Sequence, residues 1–335
     1  MPLQNNNFQN FVAKYWPNER LNALVLFGSI LISLFLFFHN PFLPNFFRPG
    51  SEDWYINFSV MIFHPNESYW NESILLPLLA KLLGGARSLE SYKILCSFIT
   101  ILIIPLVTWC ALVKFKSIPK TLVFLLIFAV SFQYFSKYDL GYPDPLTILF
   151  LVTAPFQNRR YLLFSCIFMA ALSHFSITLI AAFQFLALLA TYYGINKVAI
   201  QKYIIPLMGG LFAARVFLEI WYFIFKYTSP YGRIEFIINH GLQFFEERYF
   251  ANPSNFWLIP GLNFLLSYSL FIVYFSIRKK FLFVLALFFN LGLTYAILFF
   301  TVDGFRIFAT INACSYVFLI MIFVTNLSQK YFPEK

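Results

Sequence analysis

Four groups of residues in this chain have the types and spacing for acid/base or anion chemistry. Glu52 and Asp53 are adjacent in RPGSEDWYINFS, just ahead of an aromatic run. A carboxylate set against apolar surroundings has its pKa raised and can take a proton from a hydroxyl. Asp139 and Asp144 lie five apart in YDLGYPDPLTILF, with Pro143 and Pro145 bracketing Asp144. His174, in ALSHFSITL, has Ser173 and Ser176 beside it. Asp303 and Arg306 lie three apart in TVDGFRIF, and a guanidinium fork suits a phosphate. Arg233, His240 and Arg248 add positive charge that an anionic lipid head could use.

Each group also has a purely structural reading. Ser51 and Asp53 are good helix N-caps. Asp144 is a natural cap at the positive end of a helix dipole. Asp303 and Arg306 can pair with each other within one turn. A lone His on an apolar face is commonly a hydrogen-bonded core residue. Arg215 and Glu219, four apart in an apolar run, read as an intramembrane pair, with a site or a structural pairing as the two readings. Metal ligation has little support: His174 has no second His nearby, and Cys96, Cys110, Cys166 and Cys314 form no CxxC spacing. A divalent cation at Asp139 and Asp144 is not established by their spacing. P-loop, GxGxxG, GxSxG and HExxH motifs are absent.

These residues sit between apolar runs. The 335 residues are 60% hydrophobic and only 11% charged, which excludes an ordinary soluble domain and predicts one integral-membrane domain over 1–335. The net charge of +10 is scattered in short loop clusters, so it fits the positive-inside rule and not a nucleic-acid stripe. Ten spans follow: 22–38, 91–113, 121–136, 145–157, 161–173, 175–193, 203–224, 256–277, 281–300 and 306–326. The continuous run Tyr161–Gly194 would make a helix of about 50 Å, beyond a hydrocarbon core of about 30 Å. It is therefore expected to break near Ser173-His174.

With that break, and with 1–21 in the cytoplasm, the Lys and Arg clusters around Lys114, Arg159, Lys197 and Arg278 share one side. Glu52, Asp53, Glu72, Asp139, Asp144 and Asp303 share the other. Both termini are then cytoplasmic. Leu21–Phe38 reads as an uncleaved signal anchor. The extracytoplasmic loop 39–90 holds two apolar stretches too short to cross, Trp54–Phe63 and Ile74–Leu83, expected as interfacial helices. A second such loop is 225–255. Asn57, Asn66 and Asn71 begin N-x-S sequons that matter only in a cell that glycosylates there.

The order of these features resembles integral-membrane glycosyltransferases of the GT-C fold. GSEDWYINFS after the first span is similar to that family's acidic catalytic element. SILLPLLAKLLGG resembles its proline-centred loop segment. YPDPLTILFLV, the basic turn QNRR and LLFSCIFMAALSHFS resemble its aspartate-proline helix, turn and histidine junction. TVDGFRIF resembles its late Asp-Arg element. The resemblance covers roughly 50–310, with Phe175 standing where the family often has an acid. The same features also resemble O-antigen and exopolysaccharide polymerases.

The resemblance implies an all-α polytopic membrane protein with about ten transmembrane helices. It implies transfer of a sugar from a polyprenyl-phosphate donor to a glycan or glycolipid acceptor in cell-envelope polysaccharide biosynthesis. The reaction would lie on the extracytoplasmic face of a plasma membrane, most simply a bacterial inner membrane. Asp53, with Glu52 as alternate, would be the base. Arg306, helped by Lys137 or Arg233, would stabilise the leaving phosphate. Asp139, Asp144, His174 and Asp303 would line the substrate pocket. No cofactor is fixed beyond the lipid-linked donor substrate, with a divalent cation as the candidate; the partners are the donor, the acceptor and membrane lipid, with no nucleic acid. The rival class is a transporter or flippase, with Arg215 and Glu219 as its relay.

Overall fold

A computed structural model describes residues 19–39, 52–65, 72–135, 142–228, 241, 243, 245–299 and 304–331. Among them, the regular elements are helices: α1 Glu19–Phe38, α2 Glu52–Val60, α3 Leu75–Leu83, α4 Leu89–Phe115, α5 Ile118–Phe135, α6 Asp144–Thr153, α7 Arg160–Ser173, α8 Phe175–Tyr193, α9 Lys197–Phe225, α10 Leu262–Ile277, α11 Phe281–Phe299 and α12 Gly304–Tyr331. Short 3-10, α- and π-turns extend or link some of them. Six helices (α1, α4, α8, α9, α11 and α12) are long and apolar enough to cross a membrane, and α5, α6, α7 and α10 are shorter apolar helices. The chain is a polytopic membrane protein by that length and composition.

Side-chain placement follows lipid as the solvent. On α1, Asn22, Ser29 and Ser33 turn inward while Leu24, Phe27, Leu31 and Phe35 face out. The Ser33 hydroxyl donates to the Ile101 carbonyl of α4 at 2.7 Å. Small polar residues at helix contacts and large apolar ones outside are what packing against hydrocarbon selects. Helix α12 is the axle: 89% of its most apolar stretch is buried, against α5, α6, α8 and α11. A polar clamp joins α8, α11 and α12. Gln184 donates to the Asn290 carbonyl and to Thr294, Asn290 donates back to the Gln184 carbonyl, and Thr294 donates to Asn312.

Helix α7 ends and α8 begins on either side of His174, whose φ of −159° and ψ of 94° are extended. The chain reverses there. Lys114 donates to Asn158 at 2.9 Å and has Lys202 as an electrostatic neighbour, so the start of α7 and the region after α8 share one end. Tyr192 meets Phe283 at the same end, bringing in the α10–α11 turn with Arg278. Glu72, Asp144, Ser176 and Arg306 lie at the other. The bundle has a basic end and an acid-bearing end.

Two expectations shift. The run 256–277 is not one helix: a turn at Asn255–Leu258 stops at Ile259 and α10 starts at Leu262. Pro260 lacks an N–H and Gly261 takes a φ of 79°, where a side chain would be strained. The run 203–224 begins earlier, through the π-turn Ile200–Ile204. In the 39–90 loop, α2 and α3 are nine residues each, about 14 Å, too short to span. They pack on each other, and Lys81 of α3 donates to the Val60 carbonyl at 3.0 Å.

Candidate functional site

Helix α6 starts at Asp144 because Pro143 and Pro145 preset its first turn. Asp144 is not a side-chain cap. The N-cap position is Pro143, and the buried Asp144 carboxylate turns sideways to α12. Its Oδ2 accepts from Arg306 at 2.7 Å and its Oδ1 from Thr310 at 3.3 Å. Thr310 also donates to the Arg306 carbonyl one turn back. The Arg306 guanidinium lies 4.3 Å from the centroid of the Tyr142 ring, in cation–π contact. Asp144 is wholly buried and the Arg306 side chain only 12% exposed, so the pair is held largely away from solvent.

Helix α2 reaches this cluster through Tyr55, whose ring meets Tyr142 edge-on at 5.6 Å and lies beside Tyr92 of α4. Asp53 and Glu52 are in the first turn of the same helix, and their side chains are outside the described residues. The α7–α8 junction is tied to the start of α6. Thr147 donates to the Ser173 hydroxyl at 2.9 Å, and Ser173 donates to the Pro143 carbonyl at 3.1 Å. His174 is buried next to this knot, with its N–H on the Ala170 carbonyl and its carbonyl accepting from Thr178. Ser176 donates to Glu72 in a short hydrogen bond.

The structure thus brings Asp144, Arg306 and the His174 junction together, with the helix that carries Asp53 against them. Lys137, Asp139, Arg233, His240 and Asp303 lie outside the described residues, as does the Arg248 side chain. Arg306 pairs with Asp144, on a different helix. Sequence reasoning missed Tyr142, Tyr55 and Thr310. Thr310 is one turn after Arg306, which is a legible signal for a shared partner.

A divalent cation does not fit at Asp144 as it stands. One oxygen is held by a guanidinium, whose charge repels a second cation, and the other accepts from Thr310. Among the described residues no three His, Cys, Asp or Glu side chains cluster as metal ligands. Near the same end, the Tyr227 hydroxyl donates to the Ile62 carbonyl at 2.6 Å and fastens α9 to the segment after α2. Burial pushes the Tyr227 phenol above its ordinary value of 10.0, while a contact with Trp221 pulls it partly back. The chain matches no family model, no curated protein and no solved structure.

Proposed function

We propose that the chain is a membrane glycosyltransferase of GT-C-like architecture with about ten spans, working at the acid-bearing end of the bundle. It would move a sugar from a polyprenyl-phosphate donor to a hydroxyl of a glycan or glycolipid. The observation that carries this reading is the convergence of α2, which bears Glu52 and Asp53, on the buried Asp144–Arg306 pair through the Tyr55–Tyr142 contact.

In this reading Asp53, with Glu52 as alternate, takes the proton of the acceptor hydroxyl. The freed oxygen bonds to the anomeric carbon, and the bond from that carbon to the donor phosphate breaks. The phosphate leaves with the electron pair. Arg306 supplies positive charge near the developing anion. Asp144 keeps the guanidinium in place, and the Tyr142 ring limits its rotamers. His174, adjacent to the Ser173–Pro143 bond, would orient the sugar. Lys137, Asp139, Arg233 and Asp303 complete the proposed pocket. Polymerisation of polysaccharide repeats uses the same chemistry with a longer acceptor.

The test is transfer of radiolabel from a polyprenyl-phosphate sugar into glycan by membranes carrying wild type or Asp53→Asn with Glu52→Gln. Transfer by wild type and none by a well-expressed double variant is expected. Equal transfer by both would remove the two acids as base. Activity that survives there but is lost with Arg215→Leu would favour transport.

A further inference from the structure

A groove of about 560 Å³ runs along the flank of α8, between the start of α9 and α11. Leu179, Phe183, Ala187 and Ala190 of α8 line it, with Ile204 and Phe289 opposite, and its lining is entirely apolar. From Leu179 to Ala190 it is about 17 Å long by helical rise. Phe175 and Ser176 lie one turn before Leu179 and Ile180 on the same stripe of α8, so they mark the groove's mouth at the acid-bearing end.

Three charges surround that mouth. Ser176 holds Glu72 there. The Arg215 guanidinium of α9 lies 5.6 Å from the Phe175 ring centroid and pairs with Glu219. The pair is not sealed in protein: its side chains are 45% and 55% exposed. Helix α9 has 29 residues, about 43 Å against a hydrocarbon core of about 30 Å, and Arg215 sits about 15 Å from its Phe225 end. Charges at that depth are costly against hydrocarbon and call for a polar companion.

We propose that the groove binds a phospholipid with a phosphoethanolamine head. One hydrocarbon chain fills the groove, the phosphate meets Arg215, and the primary ammonium meets Glu219 and Glu72. One cation and two carboxylates disfavour a purely anionic head, and a head carrying both signs matches them. A choline head fits less well because its methylated nitrogen donates no hydrogen bond. This site is independent of the transferase reading.

The experiment is native mass spectrometry of the delipidated full chain in detergent, titrated with phosphatidylethanolamine, phosphatidylcholine or phosphatidylglycerol. Wild type should hold phosphatidylethanolamine about tenfold more tightly than the other two, the order a charge-assisted hydrogen bond supplies. Arg215→Leu with Glu219→Leu and Glu72→Gln removes all three charges together and should abolish that preference. Ala190→Phe narrows the groove and should weaken all three lipids alike. Size-exclusion profiles identify variants that fold. Equal binding of the three lipids to wild type overturns the proposal. So does a preference for phosphatidylglycerol, or a lipid-free oligomer that covers Arg215.

Discussion

The Arg306 guanidinium and the Asp144 carboxylate meet at 2.7 Å across 162 residues of sequence, joining the first residue of α6 to the first turns of the axial helix α12. Both groups are inside the bundle, so each needs the other. The Tyr142 ring beneath the guanidinium and the Thr310 hydroxyl on the second carboxylate oxygen leave the pair little room to rearrange.

Removing one partner therefore costs more than removing both. Asp144→Leu takes the buried carboxylate away from a guanidinium held in low dielectric and should lower stability by about 3–5 kcal/mol. Asp144→Leu with Arg306→Met replaces the pair by apolar groups of similar reach and should recover most of that loss. Thermal unfolding in detergent of the two single variants and the double measures it. A double variant no more stable than Asp144→Leu would show that the pair is not what the site lacks. On the transferase reading, the recovered double variant is folded and inactive.

The reversal at His174 was legible because the run Tyr161–Gly194 is too long for one span and charge agrees: the basic turns around Arg159 and Lys197 belong on one side, and Lys114, Asn158 and Lys202 do meet at one end. That Asp144 is a partner of Arg306 was not legible. Spacing sees only neighbours along the chain and offers Asp303, three residues away. The pairing with Asp144 depends on α6 and α12 packing side by side. Likewise, the continuous apolar run 256–277 hid the break at Pro260-Gly261, because hydrophobicity reports burial or lipid contact and not backbone continuity. Four of the seven proposed pocket residues, Lys137, Asp139, Arg233 and Asp303, fall outside the described residues.

Ser173 both accepts from Thr147 and donates to the Pro143 carbonyl, locking the α7–α8 junction onto the start of α6. Ser173→Ala breaks both bonds in a site with no exposed surface and should cost about 1–3 kcal/mol. Thr147→Val should cost less, since Ser173 keeps its bond to Pro143. A double-mutant cycle on unfolding midpoints should then give a coupling of about 0.6 kcal/mol, the usual size inside membrane proteins. Strict additivity would mean that the two hydroxyls do not share a bond.

Gly210 lets α9 lie directly on α7. A Cβ there would stand 2.8 Å from the Phe164 carbonyl oxygen and 3.2 Å from the Ile167 Cβ. The nearest clash is with backbone, so the helices must part. Gly210→Ala should destabilise by about 1–3 kcal/mol, whereas Gly209→Ala, whose nearest neighbour is the Phe164 ring at 3.5 Å, should be close to neutral. Comparing the two by thermal unfolding separates close approach from any general effect of adding a methyl to α9.

Tyr227 ties the end of α9 to Ile62 as a neutral donor, and burial raises its pKa in the folded protein above the unfolded value near 10. The sign follows from linkage: the unfolded phenol ionises first as pH rises, so the tie contributes in full below about pH 10 and is lost as pH climbs through the raised folded value. Tyr227→Phe removes the tie at every pH. The stability difference between wild type and Tyr227→Phe should therefore stay flat across neutral pH and shrink only above about pH 10. A wild-type-minus-variant absorbance titration of the phenolate should place that ionisation above the value of free tyrosine. A phenolate appearing at or below the free value would show that the hydroxyl is open to water and not bonded to Ile62.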